Sequence, residues 1–77
     1  MKIDALIKMA NQIGAFFDGE GGLDHPEEAA LLTATHLRKY WEPRMRIQII
    51  EHLQSHDGEG LDEVARSGVA LLAAGKV

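Results

Sequence analysis

Apolar residues recur every three or four positions along most of this chain, and no stretch alternates apolar and polar side chains. The first run shows the pattern, with Ile3, Leu6, Ile7, Ala10, Ile13 and Phe17. Such spacing places the apolar side chains on one face of an α-helix, whereas a half-buried strand would need a period of two residues. The chain is therefore expected to fold as an all-α protein.

Three interruptions divide this pattern into four helical segments. The stretches 18–25 and 56–60 are rich in glycine and predict loops, and Pro43 lacks the N–H that a continuous helix needs. We predict helices over residues 3–17, 26–41, 43–55 and 61–74, and Gly68 inside the last one predicts a close helix crossing. The expected fold is a single helical domain over residues 1–77, a small orthogonal bundle of three to four short helices.

The chain is short, with 77 residues and no Cys. One core in so small a domain supplies about 3–5 kcal/mol at most, and disulfides cannot add to it. We therefore expect support from a partner chain, or from a homodimer formed through the Trp41 surface when the chain is isolated. No signal peptide and no apolar run of about 20 residues is present, which predicts a cytoplasmic protein without membrane contact.

No combination of residues predicts an active site or a metal site. His52 and His56 are four residues apart and could reach one metal ion, but no third ligand is defined. The acidic glycine loops do not follow the ligand order of a calcium-binding loop. Nucleophile and phosphate-binding motifs are also missing, so the chain is expected to be non-catalytic.

Residues 36–46, the basic segment, differ in charge from the rest of the chain. They hold four basic residues and one acid, a net charge of +3, whereas the remainder carries four basic and eleven acidic residues, a net charge of −7. The only Trp and the only Tyr lie here as well. Trp, Tyr, Arg and Met are enriched at the centres of protein interfaces. The segment is therefore predicted to bind a partner.

The positions of two arginines also favour a partner-binding role for this segment. If Pro43 begins the third helix, Arg44 and Arg46 lie in its first turn, where the helix dipole disfavours cations. The sequence also allows these side chains to have roles within the chain itself. Both arginines could pair with Glu20, Glu27, Glu28 or Glu42, or the helix could continue through Pro43. Trp41 could anchor the core, Met45 could fill a gap in it, and His36 could be partly buried.

A small regulatory or nucleic-acid-binding module is the rival interpretation. Pro43 would then separate the two helices of a helix-turn-helix-like arrangement, with Arg44 and Arg46 on phosphates. The net charge of −4 argues against this, because nucleic-acid-binding domains are usually basic overall.

Two stretches of the sequence also carry a family resemblance. Residues 7–17, Ile-Lys-Met-Ala-Asn-Gln-Ile-Gly-Ala-Phe-Phe, are followed by residues 36–46, His-Leu-Arg-Lys-Tyr-Trp-Glu-Pro-Arg-Met-Arg. Together they resemble the delta subunit of NAD-dependent formate dehydrogenase. That family commonly has Phe before the Trp and Asp before the Pro, where this chain has Tyr40 and Glu42. The loop at 18–25 and the tail after His52 match least.

The resemblance implies a non-catalytic accessory subunit of a soluble complex that oxidises formate and reduces NAD⁺. Molybdopterin guanine dinucleotide, iron–sulfur clusters, FMN and NAD would belong to the larger subunits, and this chain would bind no cofactor. Its implied role is assembly or stability of the holoenzyme, with insertion of the molybdenum cofactor left open. The surface meeting the large catalytic subunit would comprise His36, Arg38, Trp41, Pro43, Arg44, Met45 and Arg46.

Overall fold

The computed structural model describes residues 2–19 and 25–77 and contains four α-helices. They are α1 (Ile3–Gly19), α2 (Pro26–Tyr40), α3 (Pro43–His56) and α4 (Glu63–Ala73). No strand occurs in the described residues, so the predicted all-α fold is confirmed. None of the helices in this part of the chain is long and apolar enough to cross a bilayer.

Prolines set the start of two helices. Pro26 follows His25 at the first position of α2, where a missing N–H costs nothing, and Glu27 and Glu28 complement the positive helix end. Pro43 opens α3 in the same way, after Glu42 in an extended conformation with ψ of 152°. The predicted break between α2 and α3 is therefore present.

The start of α4 differs from the prediction. This helix begins at Glu63 rather than at Leu61, because Asp62 is extended (φ −70°, ψ 163°) and occupies the N-cap position. Leu61 is buried, but its side chain reaches the core from the preceding loop. The prediction began this helix too early because Leu61 has the spacing of a core-facing helical residue, although it precedes the helix.

Small residues let α4 pack closely against its neighbours. It contacts all three other helices, α2 most extensively. A Cβ built on Gly68 would lie 2.8 Å from Cγ2 of Thr33 in α2, and one on Gly14 would lie 3.1 Å from the backbone nitrogen of Ala65. The close crossing predicted at Gly68 is thus confirmed, and Gly14 makes a second one between α1 and α4.

The loop between α3 and α4 is held by a side chain of α1. Asn11 Nδ2 donates a hydrogen bond to the carbonyl oxygen of Gly60 (2.9 Å), and Asn11 Oδ1 accepts one from the backbone N–H of Asp62 (2.8 Å). Both amide atoms are therefore used on one loop. Asn11 belongs to the first stretch that carries the family resemblance. It holds this loop against α1, which could not be predicted from its position on a helix.

Candidate partner-binding site

The basic segment forms the corner between α2 and α3. The helix α2 ends at Tyr40, the backbone N–H of Trp41 still bonds to the Leu37 carbonyl oxygen (3.0 Å), and the chain then turns into α3 at Pro43. Arg44 and Arg46 lie in the first turn of α3, which contains no acid. The corner thus presents side chains from the end of one helix and the start of the next.

Trp41 lies in the core, not on the surface. Its side chain is only 6% exposed and belongs to the same buried cluster as Leu37 and Ile49. The expectation that its indole faces a partner is wrong for this chain by itself, and the alternative of a core anchor holds. The residue follows the last turn of α2, where the change to extended backbone turns the large apolar ring inward. A homodimer through an exposed Trp41 loses its surface for the same reason.

Arg46 has a partner within its own chain. Its Nη1 donates a hydrogen bond to the carbonyl oxygen of Arg38 (2.9 Å), and its side chain is half-buried. The Arg38 carbonyl lies in the last turn of α2, where carbonyls lack helical partners and cations are favourable. The position of Arg46 therefore has an internal explanation, and it needs no external partner.

Arg44 and Arg38 are different, because both side chains are exposed and neither forms an ion pair in the described residues. Across 2–19 and 25–77, the ion pair found is that of Arg66 with Asp57 (3.4 Å). The suggested pairing with Glu27, Glu28 or Glu42 does not occur. Glu20, another acid considered, lies outside the described residues. Because Lys39 is also exposed and forms no ion pair in these residues, three of the four cations in the basic segment are available to a partner.

A shallow groove of about 400 Å³, the basic groove, runs beside this corner. Its lining includes Arg38, Pro43, Arg46, Ile47, Ile50 and Leu72. Ile47 is 57% exposed, which is unusual for so apolar a side chain, while Ile50 and Leu72 are half-buried. The groove combines an apolar floor with guanidinium groups at its rim. Sequence reasoning missed this groove, because helical spacing assigns Ile50 and Leu72 to core-facing stripes and gives no reason to single out Ile47.

An aromatic groove of about 440 Å³ lies on another side of the basic segment. The His36 ring packs 4.7 Å from that of Tyr40 and 6.1 Å from that of Phe17, measured between centroids. Phe16 packs edge-on against Phe17 at 5.2 Å, and Phe16 and Tyr40 are 59% and 70% exposed. His36 is therefore partly buried among aromatic rings. Consecutive phenylalanines were the available signal, because both cannot face the core from one helix.

Met45 lies between the two interpretations made from the sequence. Its side chain is half-buried and packs against the core cluster from α3. That placement fits the role of a gap-filler better than that of an exposed contact. Pro43, by contrast, is exposed and lines the basic groove, where it fixes the angle of the corner.

The histidines of α3 do not assemble a metal site in the part of the chain described. The rings of His52 and His56 are 5.5 Å apart, and His52 Nε2 is hydrogen-bonded to the carbonyl oxygen of Glu59 (2.7 Å). No group of three or more His, Asp or Glu that could hold a metal occurs among those residues. The donor set also does not fit an iron–sulfur cluster, which is held mainly by Cys thiolates, because the chain has no Cys.

The chain matches a known protein family. A family model described as the NADH-dependent formate dehydrogenase delta subunit, FdsD, matches residues 5–69. The match includes most of α1, the whole of α2 and α3, and the first part of α4. No curated protein and no solved structure matches the chain.

Proposed function

The chain belongs to the delta-subunit family of NADH-dependent formate dehydrogenase, and we propose that it serves such a complex as a non-catalytic accessory subunit in the cytoplasm. Its partner would be the large catalytic subunit. Its task would be to assist assembly of the holoenzyme or to stabilise it, with insertion of the molybdenum cofactor as one form that assistance could take.

The observation that carries this proposal is the family match over most of the chain. The chemistry of the residues is consistent with a supporting role. The complex that the sequence resembles would use a molybdenum centre, iron–sulfur clusters and a flavin for this reaction, and a chain without Cys supplies no thiolate for the clusters. We assign molybdopterin guanine dinucleotide, the clusters, FMN and the NAD site to the other subunits.

The basic segment is the part of the chain that we propose binds the catalytic subunit. Arg38 and Arg44 are exposed and form no ion pair in the described residues, and the residues outside the basic segment carry a net charge of −7. A localised positive area on an acidic protein orients an incoming partner and raises the rate of encounter. We propose that this area meets the catalytic subunit, with Pro43 fixing its shape.

Deleting the gene for this chain tests the proposed function. The expected result is a lower yield of intact complex, a lower molybdenum content per catalytic subunit, or both, with formate-dependent NAD⁺ reduction falling in proportion. Supplying the wild-type chain from a plasmid should restore all three quantities. If subunit composition, metal content and activity are the same without the chain, the accessory role is refuted.

Charge reversal tests the surface. The double variant Arg38→Glu with Arg44→Glu should stay folded, because both side chains are exposed, and should no longer co-purify with the catalytic subunit. Lys8→Glu, an exposed cation on α1, is the matched control and should co-purify as wild type does. Arg46 is left unchanged, because its bond to the Arg38 carbonyl oxygen would confuse folding with binding. Unchanged co-purification of the double variant would remove the basic segment from the interface.

A further inference from the structure

We propose that the basic groove binds an acidic segment of the catalytic subunit that also carries aliphatic side chains. This inference rests on the proposed function and names the chemistry of the partner. The aliphatic side chains would lie on Ile47, Ile50 and Leu72, and carboxylates of the same segment would bind the guanidinium group of Arg38.

Ile47 is an apolar residue of α3 that the core of the chain does not use. Ile49 belongs to the core cluster, and Met45, Ile50 and Leu53 pack against it. Ile47 is mostly exposed and lines the basic groove beside Ile50, which is half-buried. A surface helix that served only its own core would carry a polar residue at such a position. Ile47 and the half-exposed aliphatic side chains next to it form one apolar patch, which fits a partner that covers it.

The charge of the groove indicates that its partner is acidic. The rim of the groove holds the guanidinium groups of Arg38 and Arg46. Glu42, the one acid of the basic segment, lies at the N-cap of α3 and forms no ion pair in the described residues. Arg46 gives one N–H to a carbonyl and keeps its full positive charge. An acidic segment is attracted here and repelled by the remaining surface of the chain, so its position is specified by both attraction and repulsion.

The floor of the groove favours a polypeptide over a nucleic acid. A phosphate backbone would satisfy the arginines but would leave the aliphatic side chains of Ile47, Ile50 and Leu72 uncovered. A polypeptide with alternating carboxylates and aliphatic side chains satisfies both. Guanidinium groups also bind carboxylates through two parallel hydrogen bonds, which gives the contact a defined geometry.

The first experiment locates the partner segment. Because the chain has no Cys, Ile47→Cys introduces a unique thiol that can carry a benzophenone photo-crosslinker into the assembled complex. Mass spectrometry should find crosslinks to a segment of the catalytic subunit that contains both acidic residues (Asp or Glu) and aliphatic residues (Leu, Ile or Val). Leu32→Cys is the control, since Leu32 is an exposed aliphatic residue of α2 that lines neither groove. Crosslinks from position 47 to a neutral or basic segment, or to a second copy of this chain, would overturn the proposal.

The second experiment measures affinity between the purified chain and the catalytic subunit. Arg38→Glu and Ile47→Ser should each weaken binding by about tenfold or more, and the remaining affinity of Arg38→Glu should depend less on salt. Lys8→Glu and Leu32→Ser should bind as wild type does. If the wild-type complex forms and neither groove variant weakens it, the accessory role stands and the groove proposal fails.

Two further outcomes would also count against the groove. If the wild-type chain does not bind the catalytic subunit at all, both the proposed function and this inference fail. If the chain instead binds duplex DNA in a salt-dependent way that Arg38→Glu abolishes, the groove serves phosphates and the polypeptide partner is wrong.

Discussion

Replacing Gly68 by Ala should destabilise the protein, although the same change usually stabilises a helix interior. The added Cβ would lie 2.8 Å from Cγ2 and 3.0 Å from Cβ of Thr33, and 3.2 Å from the carbonyl oxygen of Ala30. The first distance is shorter than real carbon–carbon contacts, and the third involves backbone that cannot rotate away. The helices α2 and α4 must therefore move apart along their most extensive contact.

The magnitude follows from two opposing terms. Ala gains about 1 kcal/mol over Gly in helix propensity. Overpacking a tight contact costs about 1–3 kcal/mol, and the backbone atom in the contact places this case in the upper half of that range. The net loss should be about 1–2 kcal/mol. For a domain of this length, that loss corresponds to a fall in the melting temperature of about 4–16 °C.

Thermal and urea unfolding followed by circular dichroism measure this loss. Gly19→Ala is the matched control, because no atom of residues 2–19 or 25–77 lies within 4 Å of the Cβ that it would add at the end of α1, and its stability should rise by up to about 1 kcal/mol. Thr33→Ser removes the methyl group at 2.8 Å and can keep the hydroxyl bond to the Ala29 carbonyl oxygen. It should cost less in the Gly68→Ala background than in wild type. A Gly68→Ala protein as stable as wild type would refute the close crossing.

Three further substitutions have expected outcomes of different sign and size. Arg44→Glu should raise the free energy of unfolding, measured by urea titration, by about 0.5–1 kcal/mol, because it replaces an unpaired cation with an anion at the positive end of α3. A loss of stability would contradict this. Asn11→Ala should cost about 1–2 kcal/mol and speed amide hydrogen exchange at Asp62, since both bonds to the loop are lost; unchanged exchange there would mean that the loop holds itself. Trp41→Ala should cost about 3–5 kcal/mol, and the fluorescence of this single Trp should shift to longer wavelength when the wild-type protein unfolds; a solvent-exposed emission spectrum in the native state would contradict its burial.

The sequence was sufficient for the fold class and for the break at Pro43. Both depend on local effects, namely helical periodicity and the missing N–H of proline. The crossing at Gly68 was also accessible, because glycine inside a helix usually has a packing reason. The start of α4 was not, since Leu61 continues the helical stripe while its backbone is still in the loop.

The side chains of the candidate site were harder to predict, because their placement depends on tertiary contacts. Trp41 lies four residues after Leu37, so helical spacing favours burial of both, and its assignment to a partner surface came from the frequency of Trp at interfaces instead. The bond from Arg46 to the Arg38 carbonyl joins residues on either side of Pro43, so a charge count could not anticipate it. Ile50 was expected in the core and does pack against it, but helical spacing gives no sign that it also lines a groove beside Ile47.

The hydrogen bond between Arg46 and the last turn of α2 acts as a brace across the proline corner. The same guanidinium group also forms part of the basic groove. The Arg46 side chain is therefore already ordered before a partner binds. Binding does not have to immobilise it, which lowers the entropic cost of docking. Lysine could supply the charge there, but it lacks the planar fork of donors that lets one guanidinium nitrogen bind the Arg38 carbonyl while other N–H groups remain for a partner.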